Sequence, residues 1–178
     1  MVFCPKWVHI AGAVRDAIKS VTTPFLFIHQ HDFLLLKDFD LNGLIATMIA
    51  NPNIKHVRLN QNPRADSYTL WDGPVDQIIE GPHFVPLCRT FGWSDNDHVT
   101  RLDYYNDFVL PKCGHCAMEA ALHPALQSSF EELGPIAQKP FGTYIYGEFT
   151  GGPYIFHLDG RGGAFYYPTG WFEREGSN

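Results

Sequence analysis

The chain is short of several things that would place it quickly. It has four cysteines in 178 residues, Cys4, Cys88, Cys113 and Cys116. They are too few and too scattered for a disulfide framework, so they leave the compartment open. Positive charge is scarce: 13 Lys and Arg stand against 19 Asp and Glu, a formal net charge of -6. No basic stripe is available to displace phosphate counterions, which argues against a nucleic-acid partner. No apolar run approaches the length needed to cross a membrane. The first residues, Met1 to Lys6, lack the charged start and long apolar core of a signal peptide.

Apolar and aromatic residues are plentiful. With 45% hydrophobic, 15% aromatic and 18% charged residues, the composition supports a real core and excludes general disorder. The length favours one domain.

The stretch that organises the chain is Pro24 to Phe33, an apolar run ending in His29, Gln30, His31 and Asp32. It reads as a buried strand with a polar tip. In open α/β sheets ligands sit at the carboxyl ends of strands, so the tip is the first place to look for chemistry. Asp32 and His31 are of the types that ligate divalent metals; a strand end facing solvent or capping the next helix is the other reading.

Around it, Val8 to Val21 has apolar residues at helical spacing, stopped by Thr22-Thr23-Pro24. Asp40 is placed to cap a helix over Leu41 to Ala50, and Ile54 to Leu59 reads as a strand. Together they predict a β-α-β unit with parallel pairing. Gln61 to Pro82 reads as a long surface excursion with a helical turn near Val75 to Ile79, and Val85 to Phe91 as a strand. A helix is expected from His98 to Phe108, and another from Ala117 to Leu122, kinked or restarted at His123-Pro124. Gly142 to Glu148 and Pro153 to His157 predict a β-hairpin. The tail, residues 168–178, is expected to be mobile. The fold class expected is α/β, a mixed sheet flanked by helices with a C-terminal hairpin.

Three constellations carry candidate chemistry. Trp93-Ser94-Asp95-Asn96-Asp97-His98 reads equally as a helix cap or as a grip on a sugar, an aromatic face stacking while polar edges bond hydroxyls. Cys113-Gly114-His115-Cys116 has the spacing of a redox dithiol, which requires a helix N-terminus to lower the first thiol's pKa. No apolar strand leads straight into it, and a zinc site would need a second ligand pair. His157 to Gly163 is another polar tip after an apolar strand, with Asp159 and Arg161; a tight turn is the competing reading.

In order, Val14 to Ile18, Pro24 to Asp32, Trp93 to His98, Glu119, and Tyr146-Gly147 with His157 to Arg161 resemble the family 2 type of GT-A glycosyltransferases. In that family a helix with an Arg-Asn pair precedes a strand ending in an Asp-x-Asp motif, which binds a divalent metal and the sugar-nucleotide diphosphate. Here the motif is Gln30-His31-Asp32, so Asp32 alone matches strictly. The resemblance implies a GT-A-like, Rossmann-like fold and metal-assisted transfer of a sugar from a nucleotide-sugar donor to a glycan or other hydroxyl acceptor. It implies Mn²⁺ or Mg²⁺ on Asp32 and His157, and Glu119 as general base with Asp95 and Asp97 as competitors. Substrate contacts would come from His31, Trp93, Ser94, Asn96, His98, Asp159 and Arg161. Such domains begin with two or three base-binding strands, whereas this chain has one helix before the metal motif. It is therefore expected to be N-terminally truncated relative to the family. A thiol–disulfide oxidoreductase at Cys113 and Cys116, and a non-catalytic carbohydrate-binding remnant, are the alternatives.

Overall fold

A computed structural model describes residues 8–65, 75–77, 84–114 and 116–158. The molecule is mixed α/β. Helix α1 (His9–Ile18) leads into strand β1 (Phe25–Ile28), followed by β2 (Phe33–Leu35), α2 (Leu41–Ala50) and β3 (His56–Leu59). Strands β4 (Val75–Gln77), β5 (Leu87–Thr90) and β6 (His98–Arg101) follow. The chain then enters α3 (Leu102–Tyr104), a π turn (Tyr105–Val109) and α4 (Leu110–Cys113). After α5 (Met118–Leu133), a 3₁₀ turn (Gly134–Ala137) and α6 (Gln138–Phe141) come β7 (Thr143–Tyr146) and β8 (Ile155–His157).

Six strands form one sheet in the order β1-β6-β3-β7-β5-β4, and β2 pairs with β8 in a second. Only β3 and β7 pair in parallel; the other neighbours are antiparallel. Strand β3 is central, and all four of its residues are buried. Its side chains alternate between faces. Val57 and Leu59 pack with Leu44 and Met48 of α2. His56 and Arg58 point the other way, toward the helical layer whose core includes Trp93, Tyr105, Met118 and Leu122.

Several expectations change. β1 and β3 do run in the same direction, but β6 lies between them, antiparallel to both. The predicted parallel pair is thus one strand apart, and β1 is an edge strand of the six-stranded sheet. The helix expected from His98 begins only at Leu102, because His98 to Arg101 is that intervening strand. Its β-branched Val99 and Thr100 suit a buried pleated surface better than a helix. Val75 to Gln77 is a strand on β5, and not a helical turn. The hairpin is replaced by two separate pairings: β7 inserts between β3 and β5, while β8 returns to β2. Pro124 lies inside a helix that runs on through it. Asp40 caps α2 as expected, its side chain accepting the Gly43 N–H at 2.8 Å.

Candidate functional site

The strand directions gather the polar segments at one end of the main sheet. The carboxyl ends of β1 and β3 and the amino end of β6 lie together, because β6 runs against both neighbours. This end therefore carries His29 to Asp32, Asn60 to Asn62, and Ser94 to Asp97. It is the end where ligands of open α/β sheets bind.

The Ser94 to Asp97 loop is built on a buried polar floor. His56 Nε2 lies 2.9 Å from the Ser94 carbonyl oxygen, and His98 Nδ1 lies 2.5 Å from that of Asn96. A carbonyl only accepts, so both nitrogens carry protons. Neutral His98 then accepts at Nε2 from the Tyr105 hydroxyl, 2.6 Å away. Burial holds both imidazoles neutral: His56 falls well below its ordinary value, with the nearby His98 adding to the effect, and His98 falls to about 4. The π turn brings consecutive Tyr104 and Tyr105 both inward, and Tyr104 accepts the Trp93 indole N–H at 3.1 Å. Trp93 is 0% exposed and packed against His56. Its ring is thus a foundation of the loop and offers no face to a sugar. His98 is buried likewise.

The loop's remaining groups reach outward along two lines. The Ser94 hydroxyl donates to Glu119 Oε2 at 2.6 Å, and the Asp95 N–H approaches the same oxygen at 3.3 Å. Glu119 occupies the first turn of α5, where the helix dipole favours a negative charge. Burial, and then the charge of Glu119, push the Asp95 carboxyl up from 3.8 to about 6. On the second line, Asp97 is 0% exposed and takes the His29 Nδ1–H at 2.6 Å and the Gln30 N–H at 2.9 Å. A carboxylate so enclosed positions His29 and Gln30; it cannot itself meet an acceptor as a base. Gln30 also donates to the Asp95 carbonyl at 2.5 Å. Asn96 donates to Gln61 Oε1 at 2.9 Å.

No family model, curated protein or solved structure matches this chain.

At the same end of the sheet stands the pair Asp32 and His157. They are 125 positions apart, yet His157 Nε2 lies 3.1 Å from Asp32 Oδ2. Pairing of β2 with β8 brings them together, since Phe33 faces His157 in the register and their rings stack at 4.4 Å. Burial alone would raise the Asp32 carboxyl, but the His157 hydrogen bond, a backbone N–H and the His157 and His31 charges outweigh it, and the value falls. The other oxygen, Oδ1, is buried without a hydrogen-bond partner. An orphaned anionic oxygen beside an imidazole is a donor set that suits a divalent cation. Among the described residues no cluster of three or more His, Cys, Asp or Glu forms around it. His31 is exposed. Asp159, Arg161 and the tail 168–178 lie outside the described residues.

The dithiol candidate loses its chemistry. Cys113 sits at the C-terminal end of α4, and the next helix starts only at Met118. Its thiol is buried and pushed up to about 11, by burial first and then by the nearby Cys116. A nucleophilic thiol needs the opposite environment. Cys116 is exposed and donates to the Cys113 carbonyl.

Residues that sequence reading passed over include His56, Asn60 and Gln61. His29 was legible only as part of a polar tip; its exposed position two residues after Phe27 is the signal that could have singled it out.

Proposed function

We propose that the chain is a glycosyltransferase-like protein of the GT-A kind, taking a nucleotide-sugar donor and a glycan or other hydroxyl acceptor. The observation that carries this reading is the meeting of Asp32 with His157, 125 positions apart, at the end of the sheet that also carries the Ser94–Glu119 contact. Both pairs lie among the segments whose order resembles that family.

Asp32 and His157 would hold Mn²⁺ or Mg²⁺, with further ligands coming from the donor diphosphate and water. When bound, the ion neutralises negative charge growing on the leaving diphosphate. Glu119 is anchored through Oε2 by Ser94, so its carboxylate is oriented before an acceptor arrives. It takes the proton of the acceptor hydroxyl as that oxygen bonds to the anomeric carbon. The bond from the anomeric carbon to the diphosphate oxygen breaks with its electron pair, and the nucleoside diphosphate leaves. Ser94 positions the base, Asp97 positions the His29 to Gln30 backbone, and Asp95 tunes the charge beside Glu119. The outer edge of β1 has no strand partner among the described residues.

The test is a calorimetric titration of the chain with uridine and guanosine diphosphates, with and without Mn²⁺. Metal-dependent binding that Asp32→Ala abolishes supports the reading. Absence of binding by folded wild-type protein refutes it for this chain, and glycan binding that needs neither metal nor nucleotide would favour a carbohydrate-binding protein. Glu119→Gln should spare nucleotide binding and abolish turnover; retained turnover would move the base to Asp95.

A further inference from the structure

Two exposed rings stand at the carboxyl end of β1. Phe27 is 40% exposed, and the His29 side chain is 44% exposed. Their centroids are 6.1 Å apart with planes inclined by 26°. Phe39 is also near Phe27, its centroid 5.7 Å away and its plane tilted by 58°. An exposed aromatic face next to a directional polar group is the combination that grips a sugar ring. The sequence points to Trp93 for this role, and the structure removes Trp93 by burying it.

The direction of the polar group follows from its partner. A neutral imidazole has one N–H donor and one bare acceptor nitrogen. Asp97, a carboxylate, has only lone pairs to offer, so His29 Nδ1 carries the proton in their 2.6 Å contact. Asp97 is fixed on its other oxygen by the Gln30 N–H and is fully enclosed. It cannot turn away, and the ring cannot flip without leaving a buried carboxylate oxygen unpaired. In the neutral ring Nε2 is then the bare acceptor, on a side chain that is 44% exposed. It makes no hydrogen bond among the described residues. Groups that satisfy such an acceptor are hydroxyls, which a glycosyl unit presents on its rim while its apolar face lies on a ring such as Phe27.

We propose that Phe27 and His29 form a glycosyl-binding subsite, in which His29 Nε2 accepts a hydrogen bond from a sugar hydroxyl and Asp97 sets the tautomer. The proposal rests on the glycosyltransferase reading and assigns it a sugar-contacting pair.

Two measurements on the full chain test it. Long-range ¹H–¹⁵N correlation spectra of the histidine rings, with His29 identified by the signal lost in His29→Phe, should show a protonated Nδ1 and a bare Nε2. A protonated Nε2 overturns the proposal whatever the ligand. Calorimetry in Mn²⁺ then compares uridine diphosphate with uridine diphosphate glucose, and guanosine diphosphate with guanosine diphosphate mannose. Wild type should bind a nucleotide sugar more tightly than its diphosphate. His29→Phe should lose about tenfold in nucleotide-sugar affinity, the worth of one hydrogen bond, and leave diphosphate affinity within about twofold. Phe27→Ala should do the same without altering the His29 tautomer. Where His29→Phe unfolds because Asp97 is left unpaired, Phe27→Ala carries the affinity test alone and should show the same selective loss. Diphosphate binding with no sugar-dependent gain, or a gain untouched by these variants, overturns this proposal alone. Failure of wild type to bind any of the four nucleotides overturns the glycosyltransferase reading and this proposal with it.

Discussion

Replacing Asp95 with Asn should make the protein more stable at pH 8 and leave it nearly unchanged at pH 4. The Asp95 carboxyl is raised from 3.8 to about 6, by burial first and then by the charge of Glu119. A carboxyl whose folded value exceeds its unfolded value stabilises the fold below about 4, while protonated, and forfeits that contribution as pH rises through about 6. At neutral pH the ionised group therefore works against folding. At about 1.4 kcal/mol per pH unit, the displacement amounts to about 3 kcal/mol. The carboxyl keeps partial access to water, which screens the charge and leaves roughly 1–2 kcal/mol. Two hydrogen bonds of Asp95, to Glu119 and from Gln30, use its backbone N–H and carbonyl, and Asn retains both. Asp95→Asn should thus gain roughly 1–2 kcal/mol at pH 8 in urea unfolding, or roughly 3–6 °C in midpoint. At pH 4 the gain should shrink toward zero. An equal gain at both pH values, or a loss at pH 8, would refute the argument that Asp95 and Glu119 repel across the site.

The buried imidazole works in the opposite sense. His98 is lowered from 6.5 to about 4 by burial, so its stabilising contribution is full above 6.5 and is lost as pH falls toward 4. In His98→Gln the acid-side loss in a urea series should shrink by about 2–3 kcal/mol, although the variant will be weaker at pH 8. Gly142 has φ +57°, and an added Cβ would stand 2.4 Å from the Asn53 carbonyl oxygen. Gly142→Ala should cost about 3 kcal/mol or more, while Gly134→Ala, at φ +66° with open space around it, should cost about 1 kcal/mol; paired thermal melts compare them. A thiol reagent should modify Cys116 quickly and Cys113 only on unfolding, read as the signal lost in Cys116→Ser and Cys113→Ser; fast labelling of Cys113 would revive the dithiol reading.

Local chemistry was legible in the sequence wherever neighbours along the chain decide the outcome. Asp40 caps α2 through Gly43, three residues on, because cap geometry is set within one turn. Phe25 to Ile28 and His56 to Leu59 were readable as strands from their apolar patterns. The polar tip at His29 to Asp32 was visible because an apolar strand breaks off there into ligand-type residues.

Pairing was not legible, because a strand's partner is chosen by burial across the whole sheet. Nothing local says that β6 inserts between β1 and β3, or that β7 and β8 part company to join different sheets. Those choices decide the site. The β2–β8 pairing puts His157 against Asp32, and the reversed run of β6 carries Ser94 to Asp97 to the same end of the sheet as the His29 to Asp32 tip. Burial was equally hidden. Trp93, Asp97 and His98 look like surface polar and aromatic contacts in the sequence, but the tertiary fold turns them into the floor that holds the loop. His29 gained its direction only when a carboxylate 68 positions away closed on its Nδ1. Residue types and local elements were thus written in the chain itself, while the roles of those residues depended on which distant groups the packing brought within hydrogen-bond range.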